Sequence, residues 1–189
     1  MKIIAFQGSP RPGGNTDVLL EEVLKPVKKA GHDISIFKLN YMRIKPCQDC
    51  GGCDRTGKCI IDDDMGDIYD GIKEADRIIL ASPVFFFALS AQTKAMIDRC
   101  QAFWCEKYLL KKTIPEGPNG RRGLLMVVGG MKKEIGVQCS EATAKAFFRT
   151  ISVPQHETIS FLGVDAKGAI LDHPTALKDA KEAGKKLLL

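Results

Sequence analysis

No stretch of this chain approaches the ~18 consecutive apolar residues needed to cross a membrane. The opening MKIIAFQGSP has one lysine and only four apolar residues in a row before Gln7, too few for the core of an export signal. The expectation is a soluble cytoplasmic protein. Charge of one sign is also scarce: 28 basic against 23 acidic residues leave +5, which counts against a dedicated nucleic-acid binder. Neither nucleic acid nor membrane is therefore expected as a partner. Internal repeats, low-complexity linkers and composition breaks are missing, so residues 1–189 read as one domain, with 44% apolar residues to build its core. Histidine is rare, and His32, His156 and His173 have no nucleophile or ligand partner at any telling spacing. No catalytic side chain is assigned.

Cysteine, by contrast, is abundant. Seven residues, an odd number without an export signal, argue against a disulfide framework and for thiols available to metals. Basic residues also cluster locally: Lys107, Lys111, Lys112, Arg121, Arg122, Lys132 and Lys133 face only Glu116. That segment is either a positive surface patch or ordinary solvated loop charge.

The pattern along the chain alternates strand and helix. KIIAF reads as a buried strand running into the loop GSPRPGGNT. A helix then starts at Asn15 or Thr16, with Val18, Leu19, Val23, Leu24 and Val27 at helical spacing and Pro26 positioned to kink or shorten it. DISIFKL is a second strand, followed by a cysteine-rich loop over 43–62 and a helix that Asp63 or Asp64 would cap. RIILASPVFFF, GLLMVVGG and HETISFLGV supply three more strands. SAQTKAMIDRCQAF, EATAKAFFRTI and PTALKDAKEAGKKLLL supply the helices between and after them. Five strands alternating with helices predict a doubly wound parallel sheet covered on both faces. The stretch from Lys107 to Arg122, rich in proline and glycine, reads as the longest irregular connection.

In such sheets ligands sit beyond the carboxyl ends of the strands, where strand order reverses. The first loop offers glycines 8, 13 and 14, the hydroxyls of Ser9 and Thr16, the Asn15 amide, the Arg11 guanidinium and a helix N-terminus. This set suits a phosphate monoester. It is neither G-x-G-x-x-G nor a Walker loop, so a mononucleotide is expected before a dinucleotide or triphosphate. After the third strand, Phe85, Phe86 and Phe87 cannot all enter one side of a core from extended backbone. A flat ring such as a flavin would pack on Pro83, Val84 and a phenylalanine, and Gly129 and Gly130 would let a third loop run close to the same ring.

GSPRPGGNT followed by ASPVFFFALSAQTKAMIDR resembles the NADPH-dependent FMN reductase branch of the flavodoxin-like superfamily, and the cysteine motif between them resembles its iron-sulfur flavoprotein subgroup. The resemblance runs from Met1 to about Gly130. It implies a five-stranded sheet of order 2-1-3-4-5 and FMN phosphate held by Ser9, Arg11, Asn15 and Thr16. It further implies an isoalloxazine contacted by Ser82, Pro83, Val84, Phe85, Phe86, Gly129 and Gly130, and a homodimer or dimer of dimers with flavins near subunit interfaces.

The motif C-x2-C-x2-C-x5-C places Cys47, Cys50, Cys53 and Cys59 in one loop, where Gly51 and Gly52 permit a tight turn around a [4Fe-4S] cluster. Zinc, and thiols without metal, are the alternatives. Cys100, Cys105 and Cys139 lack partners at ligand spacing and read as small buried hydrophobes. The leading function is an FMN-binding electron-transfer flavoprotein. The resemblance suggests a ferredoxin-like donor and an acceptor such as oxygen, peroxide or a quinone. The alternatives are an NAD(P)H-dependent flavin or quinone reductase with a structural cysteine loop, and a non-enzymatic metal-thiolate module.

Overall fold

A computed structural model describes residues 1–189. Six strands are present: β1 (Lys2–Gln7), β2 (Asp33–Lys38), β3 (Arg77–Phe85), β4 (Ala88–Leu89), β5 (Arg122–Gly129) and β6 (Gln155–Leu162). Six helices accompany them: α1 (Asn15–Lys29), α2 (Met65–Glu74), α3 (Ala91–Arg99), α4 (Gln101–Trp104), α5 (Ile135–Thr150) and α6 (Ala176–Lys186). The parallel strands lie in the order β2-β1-β3-β5-β6, a flavodoxin-like arrangement. The expected five-strand order 2-1-3-4-5 needs one correction: the two-residue β4 folds back antiparallel on Val84 and Phe85 of β3, making six strands.

The central strands explain themselves. β1, β3 and β5 are near-continuous apolar runs because helices cover both of their faces. On one side, Ile3, Ala5, Ile79, Ala81, Leu124, Met126 and Val128 pack under Leu19, Val23 and Val27 of α1 and Ala176, Ala180 and Ala183 of α6. On the other, Ile4, Phe6, Ile78, Leu80, Leu125 and Val127 pack under Ile68 and Ile72 of α2, Met96 of α3, and Phe147 and Phe148 of α5. The edge strands β2 and β6 carry few buried residues. Chain order reverses between β1 and β3, which brings the loops after β1, β3 and β5 to one end of the sheet.

Other expectations are corrected here. Pro26 does not shorten α1, which runs through it to Lys29. α5 begins at Ile135, upstream of the EATAKAFFRTI segment. The longest irregular stretch is the cysteine loop between Tyr41 and Met65, because a π-helical turn over Cys105–Leu109 extends α4 into the basic segment. Arg121 is not part of a surface patch. It is buried, with Nη2 donating to the carbonyls of Ile72 at 2.8 Å and Ile151 at 3.3 Å at the ends of α2 and α5. No helix is long and apolar enough to cross a membrane.

Candidate functional site

The loop after β1 is built by its neighbours as much as by its own sequence. A Cβ on Gly8 would fall 1.8 Å from Thr93 Oγ1, so only glycine lets this backbone lie against the start of α3. Ser90 there caps α3 and donates to the Gly8 carbonyl at 2.7 Å. Asp17 accepts from the Gly13 amide at 2.7 Å and from the Gln7 side chain, fixing the loop from inside the first turn of α1. Gly14 occupies the N-cap position and no side-chain hydrogen bond closes it, in place of the expected cap by Asn15 or Thr16. The first-turn amides of α1 are therefore left for a ligand.

This end of the sheet holds a cavity of about 950 Å³, at the upper end of the roughly 300–1,000 Å³ usual for small-molecule sites. Ser9, Arg11, Asn15, Thr16, Pro83, Val84, Phe85, Phe86, Gly129 and Gly130 all line it. Ser82 does not. It is fully buried, accepts from the Ser90 amide at 3.0 Å and donates to the Pro83 carbonyl, so it shapes the loop from behind. Asn15 is also partly committed: its Nδ2 donates to the Ala166 carbonyl at 2.9 Å, and its Oδ1 accepts from the Gly168 and Ile170 amides. It latches α1 to the segment after β6.

The cavity combines cations with an aromatic wall. Arg11, Lys94, Lys133 and Lys167 line it against the single carboxylate of Asp165. The sequence had grouped Lys133 with surface charge and gave no local signal for Lys94 or Lys167, which reach the site from α3 and from beyond β6. Phe86 and Phe87 have φ of 48° and 62°, and this left-handed turn throws the phenylalanines out of the core: Phe86 is fully exposed. Elsewhere in the lining, a Cβ on Gly130 would sit 2.9 Å from Asp165 Oδ1, and one on Gly136 2.8 Å from Val84 Cγ1. At both positions only main chain fits. Uncapped helix amides beside cations, with an apolar slot alongside, fit a phosphate joined to a flat ring.

The cysteine loop forms a second, smaller site. Asp49 and Gly51, with φ of 50° and 67°, reverse the chain, and Cys47, Cys50, Cys53 and Cys59 then line one cavity of about 140 Å³. Arg99 also lines it, with its side chain fully buried. Its Nη1 and Nη2 donate to Asp63 Oδ2 and Oδ1 at 2.7 and 3.1 Å, and further bonds run to the carbonyls of Lys45 and Ile61. Asp63, read as a helix cap, does accept from the Met65 amide at 3.1 Å, but its carboxylate is chiefly the counter-ion of Arg99. Burial pushes the Asp63 carboxyl up, yet the bonds from Arg99 and from the amides of Lys45 and Met65 outweigh it and hold the carboxyl below its ordinary range. Tyr69 donates to the Arg99 carbonyl at 2.8 Å, and burial pushes its phenol well up, so it stays a neutral donor.

Two of the three remaining cysteines need correction. Cys100 is buried as expected, but Cys139 is exposed on α5. Cys105 is buried yet not isolated: its sulfur lies 3.5 Å from that of Cys53. The four motif thiols around one cavity fit a cluster bound at four corners.

The family model described as NADPH-dependent FMN reductase matches residues 1–160. An iron-sulfur flavoprotein of Methanocaldococcus jannaschii is 44% identical over 99 residues, 52% of this chain and 51% of that protein. Iron-sulfur flavoproteins of Methanosarcina thermophila and Archaeoglobus fulgidus are 33% and 34% identical, over 70% and 72% of this chain and 65% and 67% of their own lengths. The chain thus spans about half to two thirds of these curated relatives. Among solved structures, an NAD(P)H:quinone oxidoreductase from Methanothermobacter marburgensis superposes with a TM-score of 0.74 at 15% identity, over 99% of this chain and 96% of that one. An FMN-dependent NADH-azoreductase from Bacillus anthracis, in complex with FMN, superposes at 0.70 with 14% identity over the whole of both chains. At such identities the agreement is one of fold.

Proposed function

The chain belongs to the NADPH-dependent FMN reductase family, within its iron-sulfur flavoproteins, and on that premise we propose an FMN-dependent oxidoreductase that also carries a [4Fe-4S] cluster. It transfers electrons between a ferredoxin-like, one-electron donor and an acceptor such as oxygen, peroxide or a quinone. The observation that carries this reading is the cavity beyond β1, β3 and β5, where an uncapped helix N-terminus and Arg11 stand beside a phenylalanine wall.

When bound, FMN supplies the exchange of electrons singly or in pairs. The chain's own residues bind and orient it. The amides at the start of α1, Ser9, Thr16 and Arg11 hold the phosphate, whose charge the helix dipole favours. Asn15 contributes mainly by fixing the helix start against Ala166 and Gly168. Pro83, Val84, Phe85 and Phe86 would give the ring apolar contact, and Gly129 and Gly130 would let main chain run close to it. Cys47, Cys50, Cys53 and Cys59 hold the cluster, in a pocket whose shape the Arg99–Asp63 pair maintains. Exposed Phe86, Met131 and Ile135 supply apolar surface beside the flavin cavity for a homo-oligomer.

The test is chemical. Cofactor released by denaturation is FMN, and mainly FAD contradicts the phosphate assignment. Under anaerobic conditions a reduced ferredoxin bleaches the flavin absorbance. Rapid bleaching by NADPH in iron-free protein selects the NAD(P)H-dependent reductase instead.

A further inference from the structure

We propose that, in protein whose four-cysteine motif carries no cluster, Cys53, Asp54 and Cys105 bind a single thiophilic divalent ion of the zinc class, in competition with the cluster for Cys53. The sulfurs of Cys53 and Cys105 are 3.5 Å apart, Cys105 Sγ is 3.4 Å from Asp54 Oδ1, and the three ligand atoms all lie within 4.8 Å of one another. A tetrahedral ion with metal–sulfur bonds of about 2.3 Å and metal–oxygen bonds of about 2.0–2.2 Å separates sulfur from sulfur by roughly 3.8 Å and sulfur from oxygen by roughly 3.5 Å. The two observed edges fall slightly short of these distances, so a small outward shift of the side chains admits the ion.

No other three His, Cys, Asp or Glu side chains converge this closely. Cys47, Cys50 and Cys59 share a cavity with Cys53 but stand too far apart to enclose one ion, whereas a cluster spreads its thiolates over several irons. Geometry thus separates two metal chemistries that meet at Cys53. Filling one site withdraws a ligand from the other.

The surroundings complete the site. Cys105 opens the five-residue π-helical turn, a distortion that recurs at functional positions. Gln101 Nε2 donates to Cys105 Sγ at 3.7 Å, an outer-shell bond that orients the thiolate. The cysteine loop seats on the same turn: Gly57, at φ 69°, lies so close that a Cβ there would be 3.0 Å from Glu106 Cβ. Cys53 is half-buried and Asp54 exposed, so an ion reaches the site from solvent and a water takes the fourth position. A thiol ligates a metal ion as thiolate, so binding releases two protons to solvent and leaves two thiolates, one carboxylate and a dication.

Full-length protein, stripped anaerobically with a chelator, is titrated with Co2+. One equivalent is expected to give thiolate-to-cobalt charge transfer and tetrahedral ligand-field bands. Cys105→Ser should abolish these signals, while Cys47→Ser and Cys59→Ser leave them unchanged. Gln101→Leu should weaken binding about 10–100-fold. Absence of stoichiometric binding overturns the site, as does retention of the spectrum in Cys105→Ser or its loss in Cys47→Ser. If Cys105→Ser loses its circular dichroism, exposed Asp54→Asn carries the test, and unchanged Co2+ affinity there overturns the site equally. Iron and sulfide content of an unstripped preparation reports on the cluster separately.

Discussion

Replacing Asp63 by asparagine should be among the most damaging single changes outside the apolar core. The Arg99 and Asp63 side chains are 0% and 4% exposed and meet through two bonds of 2.7 and 3.1 Å. Asp63 also accepts from the Lys45 amide at 2.9 Å, and Arg99 donates to the carbonyls of Lys45 and Ile61. The pair therefore ties both ends of the cysteine loop to the end of α3. Removing one partner of a buried pair leaves an uncompensated charge and costs about 3–5 kcal/mol. For a chain of this size that lowers the melting temperature by roughly 6–20 °C. Thermal unfolding followed by far-UV circular dichroism measures it. The sign with pH follows from the depressed Asp63 carboxyl: stabilisation is complete above its ordinary value of 3.8 and is lost as pH falls through the lower native value. The deficit of Asp63→Asn should accordingly be full near neutral pH and shrink in acid. A double replacement, Asp63→Leu with Arg99→Met, should recover most of the loss. A melting shift below about 2 °C in Asp63→Asn would refute the reasoning.

Arg11→Ala should weaken FMN retention by about 1.5–3 kcal/mol, or roughly 10- to 160-fold, measured by fluorescence titration of the released flavin; unchanged affinity removes Arg11 from the phosphate site. Gly184→Ala should destabilise the fold by about 1–2 kcal/mol in urea despite alanine's better helix propensity, because its Cβ would lie 2.1 Å from the Val23 carbonyl oxygen where α6 crosses α1. Arg121→Met should cost about 1–3 kcal/mol in the same assay by orphaning the carbonyls of Ile72 and Ile151. An unchanged midpoint in either variant contradicts the packing described.

What the sequence revealed follows from how far each signal reaches along the chain. β1, β3 and β5 were legible because strands buried on both faces must be continuous apolar runs, and the loops at their ends inherit their place from that topology. Ten of the eleven residues expected around the flavin line the cavity for this reason. Ser82 lies behind the lining because its hydroxyl is taken up by the Ser90 amide and the Pro83 carbonyl, contacts that no local pattern announces. β4 was invisible because two residues carry no periodicity. Asp63 looked like a cap because its ion-pair partner lies on α3, and Cys105 looked inert because its neighbour Cys53 is close only after folding. Arg121 resembled surface charge because nothing local shows that it faces two helix ends.

Iron, acid-labile sulfide and FMN per chain, measured in anaerobically prepared wild type and Cys59→Ser, decide whether one protein carries both cofactors. Wild type should hold about four iron, four sulfide and one FMN, for a single cluster with one flavin. Cys59→Ser should lose iron and sulfide while retaining FMN, since the phosphate loop and the cysteine loop are separate elements. Stoichiometric FMN without iron or sulfide in the wild-type protein would contradict the assignment of the four-cysteine loop to a cluster.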